Sequence, residues 1–153
     1  MENTEELLNN YSIFIKNLAE RVFENLGSGH NEKIYHKALK TELECHGILS
    51  DTERHVSVTY IDSKGFKHCL ESERIDLFIH SNPNEWSQIK NVVCELKAIS
   101  KNLGEPERIQ VKKYFKELKK QNIYCDLGII INFPQPTSKD TRTNVDFVTL
   151  LPC

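Results

Sequence analysis

No apolar run in this 153-residue chain approaches the roughly 18 residues that a membrane-spanning helix requires. The N-terminal stretch MENTEELLNN also lacks the basic patch followed by an apolar segment that marks a secretory signal. The expectation is an intracellular protein, cytoplasmic or nuclear, with no membrane partner. The five cysteines are an odd number and include no C-x-x-C pair, which speaks against a disulfide framework. His68 and Cys69 stand side by side, but the usual zinc-ligand spacing is missing. Cys94 and Cys125 lie inside apolar segments and are expected to be core residues. A cationic surplus is missing too: 20 Lys and Arg face 22 Asp and Glu, for a formal charge of −2. General affinity for polyanions rests on such a surplus, so any basic surface must be local. Residues 108–120 offer one, with Arg108, Lys112, Lys113, Lys116, Lys119 and Lys120; on composition alone a solvated helix face is the simpler account of the run. Repeats, low-complexity tracts and long linkers are absent, so residues 1–153 are expected to form a single domain.

With 39% hydrophobic and 27% charged residues, the composition is that of a folded globular chain. Residues 5–26 place Leu7, Tyr11, Phe14, Leu18 and Val22 at spacings of three and four, which predicts an amphipathic helix. After Gly27-Ser28-Gly29 a second helix is predicted over 31–46, with Ile34, Tyr35, Ala38, Leu39 and Leu43 on its apolar stripe and Gly47 as its stop. The period then changes. Residues 54–61 alternate as a half-buried strand, 62–65 carry turn chemistry, and 66–70 form the hairpin partner. Residues 74–80 are predicted as a further strand and 81–84 as a loop. The nearly continuous apolar run 91–99 reads as a central strand. A helix over 107–121, a buried strand over 127–133 and an edge strand over 145–150 complete the chain. This order predicts an α/β fold with a central mixed β-sheet flanked by α-helices.

Four features break these patterns, and functional sites tend to lie at such breaks. Alternation puts Glu95 and Lys97 on the same face as Val93 and Ile99, so two charges project from a segment that otherwise reads as buried. Such charges are costly unless paired or coordinated; a simple Glu95–Lys97 ion pair is the plain explanation. Asp76 interrupts the strand 75–79, where aspartate is disfavoured, although an edge or bulge would also accommodate it. Glu32 shares a helical stripe with Tyr35, Leu39 and Leu43, yet an acid in the first helical turn needs no further reason. Gln110 and Tyr114, four apart, meet on one helix face, where surface decoration is the default. Phosphodiester hydrolysis gives all four a common purpose. It requires an activated water and neutralisation of charge on the phosphate, both supplied by a hard cation between carboxylates. Asp76 and Glu95 would hold that cation, Lys97 the attacking water, Glu32 a further metal or water contact, and Gln110 and Tyr114 the substrate phosphate.

These residues also form an ordered set. Gly29-His30-Asn31-Glu32-Lys33-Ile34-Tyr35 followed by Ala38-Leu39, then Arg74-Ile75-Asp76, Glu95-Leu96-Lys97-Ala98, Gln110 with Tyr114, and Gly128 to Phe133 resemble, over roughly residues 18–135, the GxxExxY proteins of the PD-(D/E)XK nuclease superfamily. The resemblance implies a restriction-endonuclease-like core and a Mg²⁺- or Mn²⁺-dependent nuclease, acting on DNA rather than RNA. It assigns Asp76, Glu95 and Glu32 to the metal, Lys97 to catalysis, and Gln110, Tyr114 and Arg74 to substrate. Two departures are visible. Ile75 stands where the superfamily's name has proline, and the segment 81–90 lengthens the interval between Asp76 and Glu95. The alternative expectation is an inactive nuclease-fold module serving nucleic-acid binding or homodimeric contact, the N-terminal helix being one surface for a homodimer.

Overall fold

The computed structural model describes residues 3–81, 85–136 and 144–152. Its elements run in the order α1 (Thr4–Leu26), α2 (Glu32–Cys45), β1 (Ser50–Ile61), β2 (Lys67–Ile79), β3 (Asn91–Lys97), α3 (Glu105–Lys120), β4 (Cys125–Asn132) and β5 (Asp146–Leu150). Each helix begins where a side chain satisfies the free N–H groups of its first turn. The Asn3 side chain accepts from the Glu6 N–H at 2.8 Å and that of Asn31 from the Ile34 N–H at 3.3 Å. At α3, Glu107 reaches back to accept from the Gly104 N–H at 3.0 Å. Gly27, at φ +69°, closes α1 in a conformation that a side chain would strain.

The five strands form one sheet in sequence order, β1-β2-β3-β4-β5. All neighbours are antiparallel except β3 and β4, which are parallel and joined through α3. Parallel neighbours need such a crossover because a tight turn cannot reverse the chain twice. Helices α1 and α2 cover one face of the sheet, burying Tyr11, Ile15, Tyr35 and Leu39 against Leu77, Cys94, Leu96 and Ile131. Helix α3 covers the other, packing Val111, Tyr114 and Leu118 on Ile75, Val93 and Ile130. The mixed sheet between helical layers matches the architecture expected from the order of elements.

Several boundaries differ from the sequence expectations. The segments 66–70 and 74–80 are one continuous strand, β2, because the polar stretch Glu71–Arg74 pairs with β1 across the same ladder. Strand β1 begins at Ser50 rather than 54, and α3 at Glu105 rather than 107, since Pro106 suits the first turn of a helix. On α1 the buried stripe runs through Ile15, Ala19 and Phe23, with Phe14 at its margin. Ile34, placed on the inner stripe of α2, is exposed, and His36 is buried instead. The loop expected over 81–84 falls largely on residues 82–84, outside the described residues.

Gly128 opens the buried part of β4 beneath α3. A Cβ there would stand 2.6 Å from both the Phe115 ring and the Val111 side chain, closer than atoms can approach, so the absent side chain sets how near α3 lies to the sheet. Overpacking of this kind costs about 1–3 kcal/mol. Gly128→Ala is therefore expected to lower the unfolding free energy by that margin, read as a lower urea midpoint with an unchanged slope of the transition, and an unchanged midpoint would show that α3 can yield freely.

Candidate active site

The ladder between β2 and β3 joins Ile79 to Val92, Phe78 to Val93 and Leu77 to Cys94, and pairs no further residues. Beyond Leu77 the two strands part. Strict alternation fails at the same place: Ile75 packs under α3 while Leu77 packs under α1 and α2, so Asp76 sits at a change of face. Across the β1–β2 ladder, the residue opposite it, Glu53, takes φ +54°, an uncommon conformation for a non-glycine residue and one that tends to cluster at functional sites. The backbone N–H of Leu96, freed by the parting, is taken by the carboxylate of Asp76 at 2.8 Å. The kink thus aims Asp76 at β3, and β3 supplies the bond that holds it there.

Glu95 projects into the gap beside it. Its carboxyl is buried and lies within hydrogen-bonding reach of Asp76, and its Oε2 has no hydrogen-bond partner among the described residues. Burial first, then the Asp76 charge, push Glu95 up to about 8, while Lys97 pulls the other way and Glu32 adds repulsion. The Lys97 ammonium lies 3.7 Å from Glu95 Oε1, an ion pair that leaves Oε2 unanswered. Lys97 is partly exposed, so its amine faces the opening. Immediately beyond it, the buried Asn132 side chain accepts from the Ile99 N–H at 2.9 Å and donates to the Ile99 carbonyl at 3.0 Å. This clamp fixes the chain as it leaves the site.

Helix α2 brings Glu32 to the same end of the sheet, where an open depression of about 620 Å³ is lined by His30, Asn31, Glu32, Lys33 and Ala98. The flanking motif residues are structural. The Gly29 N–H donates to Gln135 at 2.7 Å, with φ +98°. The Tyr35 hydroxyl donates to the Gly27 carbonyl at 2.7 Å while its ring stacks on Phe133 at 4.4 Å. Tyr114 is also committed: its hydroxyl donates to the Arg74 carbonyl at 2.8 Å and accepts from Gln110 at 2.5 Å. It ties α3 to β2 two residues before Asp76. The Arg74 guanidinium is exposed, 3.9 Å from Glu53.

Two residues went unnoticed in the sequence. Glu53 gave no signal, since a single acid near a strand start is ordinary. His36 stands one position after Tyr35, off the expected stripe. It is 5% exposed, neither ring nitrogen bonds a described protein group, and its Nε2 lies 3.9 Å from Asp76 Oδ2.

Carboxylate oxygens are hard donors, and two of them facing one another with an unsatisfied buried oxygen are the chemistry that Mg²⁺ or Mn²⁺ fits. Among the described residues no three His, Cys, Asp or Glu side chains converge as a ready-made metal cage. Magnesium commonly keeps several waters, so a two-carboxylate site suits it.

The family model of the PD-(D/E)XK nuclease superfamily matches residues 9–145. The chain belongs to this superfamily. PD-(D/E)XK nucleases generally use divalent metals, in keeping with the donor set, and the mixed sheet between helices is consistent with a restriction-endonuclease-like fold. Among solved structures, the crystal structure of SSO0001 is similar at a TM-score of 0.49 and 18% identity, over 79% of this chain and 50% of that one. The chain thus spans half the length of that protein. No curated protein sequence matches the chain.

The raised carboxyl of Glu95 has a consequence for stability. Its folded value of about 8 lies above the ordinary 4.5, so the folded state holds the proton more tightly, and stability falls as pH rises from about 4.5 through about 8. In EDTA, Glu95→Gln is expected to match the wild type below about pH 4.5 and to become progressively more stable than it as pH rises through about 8. Thermal melts across this range check it; a gap independent of pH would contradict the assignment.

Proposed function

We propose that the protein is a metal-dependent phosphodiester hydrolase acting on nucleic acid, DNA ahead of RNA, and that it falls within the GxxExxY branch of its superfamily. The observation that carries this reading is the meeting of Asp76 and Glu95 where β2 leaves β3, with the Lys97 amine 3.7 Å from Glu95. Asp76 and Glu95 would hold Mg²⁺ or Mn²⁺, with Glu32 reaching it directly or through water. When bound, the cation supplies Lewis acidity toward the phosphoryl oxygen and lowers the pKa of a coordinated water.

The chain's own groups do the rest. Lys97 donates to the attacking water and offsets negative charge on the phosphate. Gln110 orients the substrate phosphate from the α3 side, and Arg74, whose guanidinium stands beside Glu53, does so from the β1 side. Tyr114 contributes by anchoring the Arg74 backbone. His36 acts as a positioning residue behind Asp76. An imidazole buried with no hydrogen-bond partner among the described residues costs about 1–3 kcal/mol, and its Nε2, 3.9 Å from Asp76 Oδ2, stands where a group that orients a ligating carboxylate would be placed.

The alternative is a non-catalytic module that binds nucleic acid or forms a homodimer. The apolar face of α1, from Leu7 to Phe23, is buried within the chain's own core. The observation favouring self-association lies instead at the tip of the β1–β2 hairpin, where Tyr60, Ile61, Phe66 and Leu70 are exposed. The retention of Asp76, Glu95 and Lys97 together supports the active reading.

Incubation with linear and circular DNA, single strands, duplexes and RNA, in Mg²⁺, Mn²⁺ or EDTA, tests both. Cleavage is expected with a divalent cation only, and Asp76→Ala or Lys97→Ala is expected to reduce it by ~10²-fold or more. Metal-independent binding without cleavage, with a dimeric mass in solution, would support the module instead.

The positioning role of His36 has a separate signature. His36→Leu is expected to raise the melting temperature in EDTA while weakening the Mn²⁺ affinity, read by calorimetry, by about 10–100-fold. A purely structural histidine would give the opposite: a lower melting temperature and unchanged affinity.

A further inference from the structure

The cations of α3 divide by face. Lys113 pairs with Glu73 across the sheet, and Lys120 pairs with Glu117 at 3.0 Å. Lys112, Lys116 and Lys119, at steps of four and three, share another face of the helix. Among the described residues none of these three forms an ion pair. They line a concavity of about 520 Å³, within the range of roughly 300–1,000 Å³ typical of ligand sites. Its wall also carries Lys90, Phe115 and Tyr124. The acid in the lining, Asp126, accepts the backbone N–H of Lys90 at 2.7 Å. The Lys90 ammonium lies 5.7 Å from the centre of the Tyr124 ring, which is 48% exposed.

Four ammonium groups around one concavity repel one another, and in a chain of net charge −2 their grouping is not a consequence of composition. A ligand matched to this wall carries several negative charges at regular intervals, for the lysines, and a flat π face, for the two rings. An acidic peptide supplies the first feature without the second. A duplex keeps its bases stacked and unavailable to the rings, whereas an unpaired strand offers both phosphates and base faces.

Lys90 immediately precedes β3 and Tyr124 immediately precedes β4, so the concavity lies at the entry ends of these strands and Glu95 lies towards the exit end of β3. Five residues of strand from Lys90 to Glu95 span roughly 16 Å. That is a span of a few nucleotides of an unstacked single strand.

We infer that the lysine-lined concavity beside α3 is a binding site for single-stranded nucleic acid, separate from the carboxylate pair, in which phosphates meet Lys90, Lys112, Lys116 and Lys119 and a base stacks on Tyr124. The inference rests on the reading of the protein as a nucleic-acid hydrolase and adds a second contact to it. The strand would be held several nucleotides away from the bond that is cut, so that affinity depends on substrate length.

The test uses the full chain in EDTA and a fluorescein-labelled oligothymidylate of about twenty nucleotides, followed by anisotropy over a series of salt concentrations. The triple variant Lys112→Gln, Lys116→Gln, Lys119→Gln is expected to bind at least ~10-fold more weakly at physiological salt. Its log–log salt slope should be shallower by about 2, at about 0.7 per single-strand phosphate contact. Tyr124→Ala is expected to weaken binding about 10-fold with the slope unchanged, as a stacking contact should. With Mg²⁺ present, the rise in KM should be confined to the long strand and absent for a dinucleotide, too short to reach the concavity. Equal affinity and slope in wild type and triple variant would overturn the inference while leaving the hydrolase standing, provided the wild type cleaves. Should the wild type neither bind nor cleave any strand, both readings fall together. Poly-glutamate binding as tightly as the oligonucleotide, and lost in the triple variant, would overturn the inference in favour of an acidic protein partner.

Discussion

The separation of β2 from β3 at Asp76 is the constraint on which the rest of the molecule depends. A regular ladder would have paired Asp76 with Glu95 and alternated their side chains with the core. By ending at Leu77–Cys94, the ladder frees the Leu96 N–H, and Asp76 binds it at 2.8 Å. One charge-assisted hydrogen bond therefore both satisfies the backbone and aims a carboxylate at its neighbour. The uncommon conformation of Glu53 and the Tyr114–Arg74 bond support the distortion from either side of β2. The cost is concentrated in Glu95, whose buried carboxyl faces another and keeps one oxygen without a partner among the described residues. Folded proteins tolerate such costs where a bound cation offsets them.

The remainder of the chain is arranged to keep that end of the sheet rigid. Asn132 clamps the backbone after Lys97, Tyr35 and Phe133 stack behind it, and Gln135 ties the loop before α2 to the chain following β4. Helix α3 is held close by the missing side chain at Gly128. Precise placement of a few polar groups requires this kind of support, because a displacement of about 1 Å is enough to weaken a reactive arrangement severely. The opposite end of the sheet is built differently, with lysines that form no ion pair among the described residues around an open concavity, where charge and shape matter more than exact geometry.

Much of this was legible in the residues. The three helices and the buried strands β3 and β4 follow from periodicity, since burial on one face leaves a repeat of 3.6 or 2 in a folded chain, and the mixed sheet follows from the order of the elements. Asp76, Glu95 and Lys97 stood out because charge inside an apolar run contradicts that repeat. The division of β2 was misread because its middle, Glu71 to Arg74, is polar on both faces; the hairpin there extends past the core, and no alternation is imposed. His36 and Glu53 left no trace for a similar reason. Their significance lies in what stands opposite them on β2, reached from α2 by His36 and from β1 by Glu53, and not in their own neighbours in sequence.

The sequence alone determined the class of fold, most of the core, and which charged residues interrupt the apolar pattern, because each follows from local patterns that solvent imposes on a folding chain. Only the tertiary structure decided which of those charges meet. It joined the Tyr114 hydroxyl to the Arg74 backbone, brought His36 within 3.9 Å of Asp76, and separated the lysines of α3 that pair with Glu73 and Glu117 from those with no ion pair among the described residues. Such pairings depend on distances between segments far apart in the chain. Coulombic energy and hydrogen bonding act over a few ångströms, so nothing short of the packed arrangement of strands and helices could specify them.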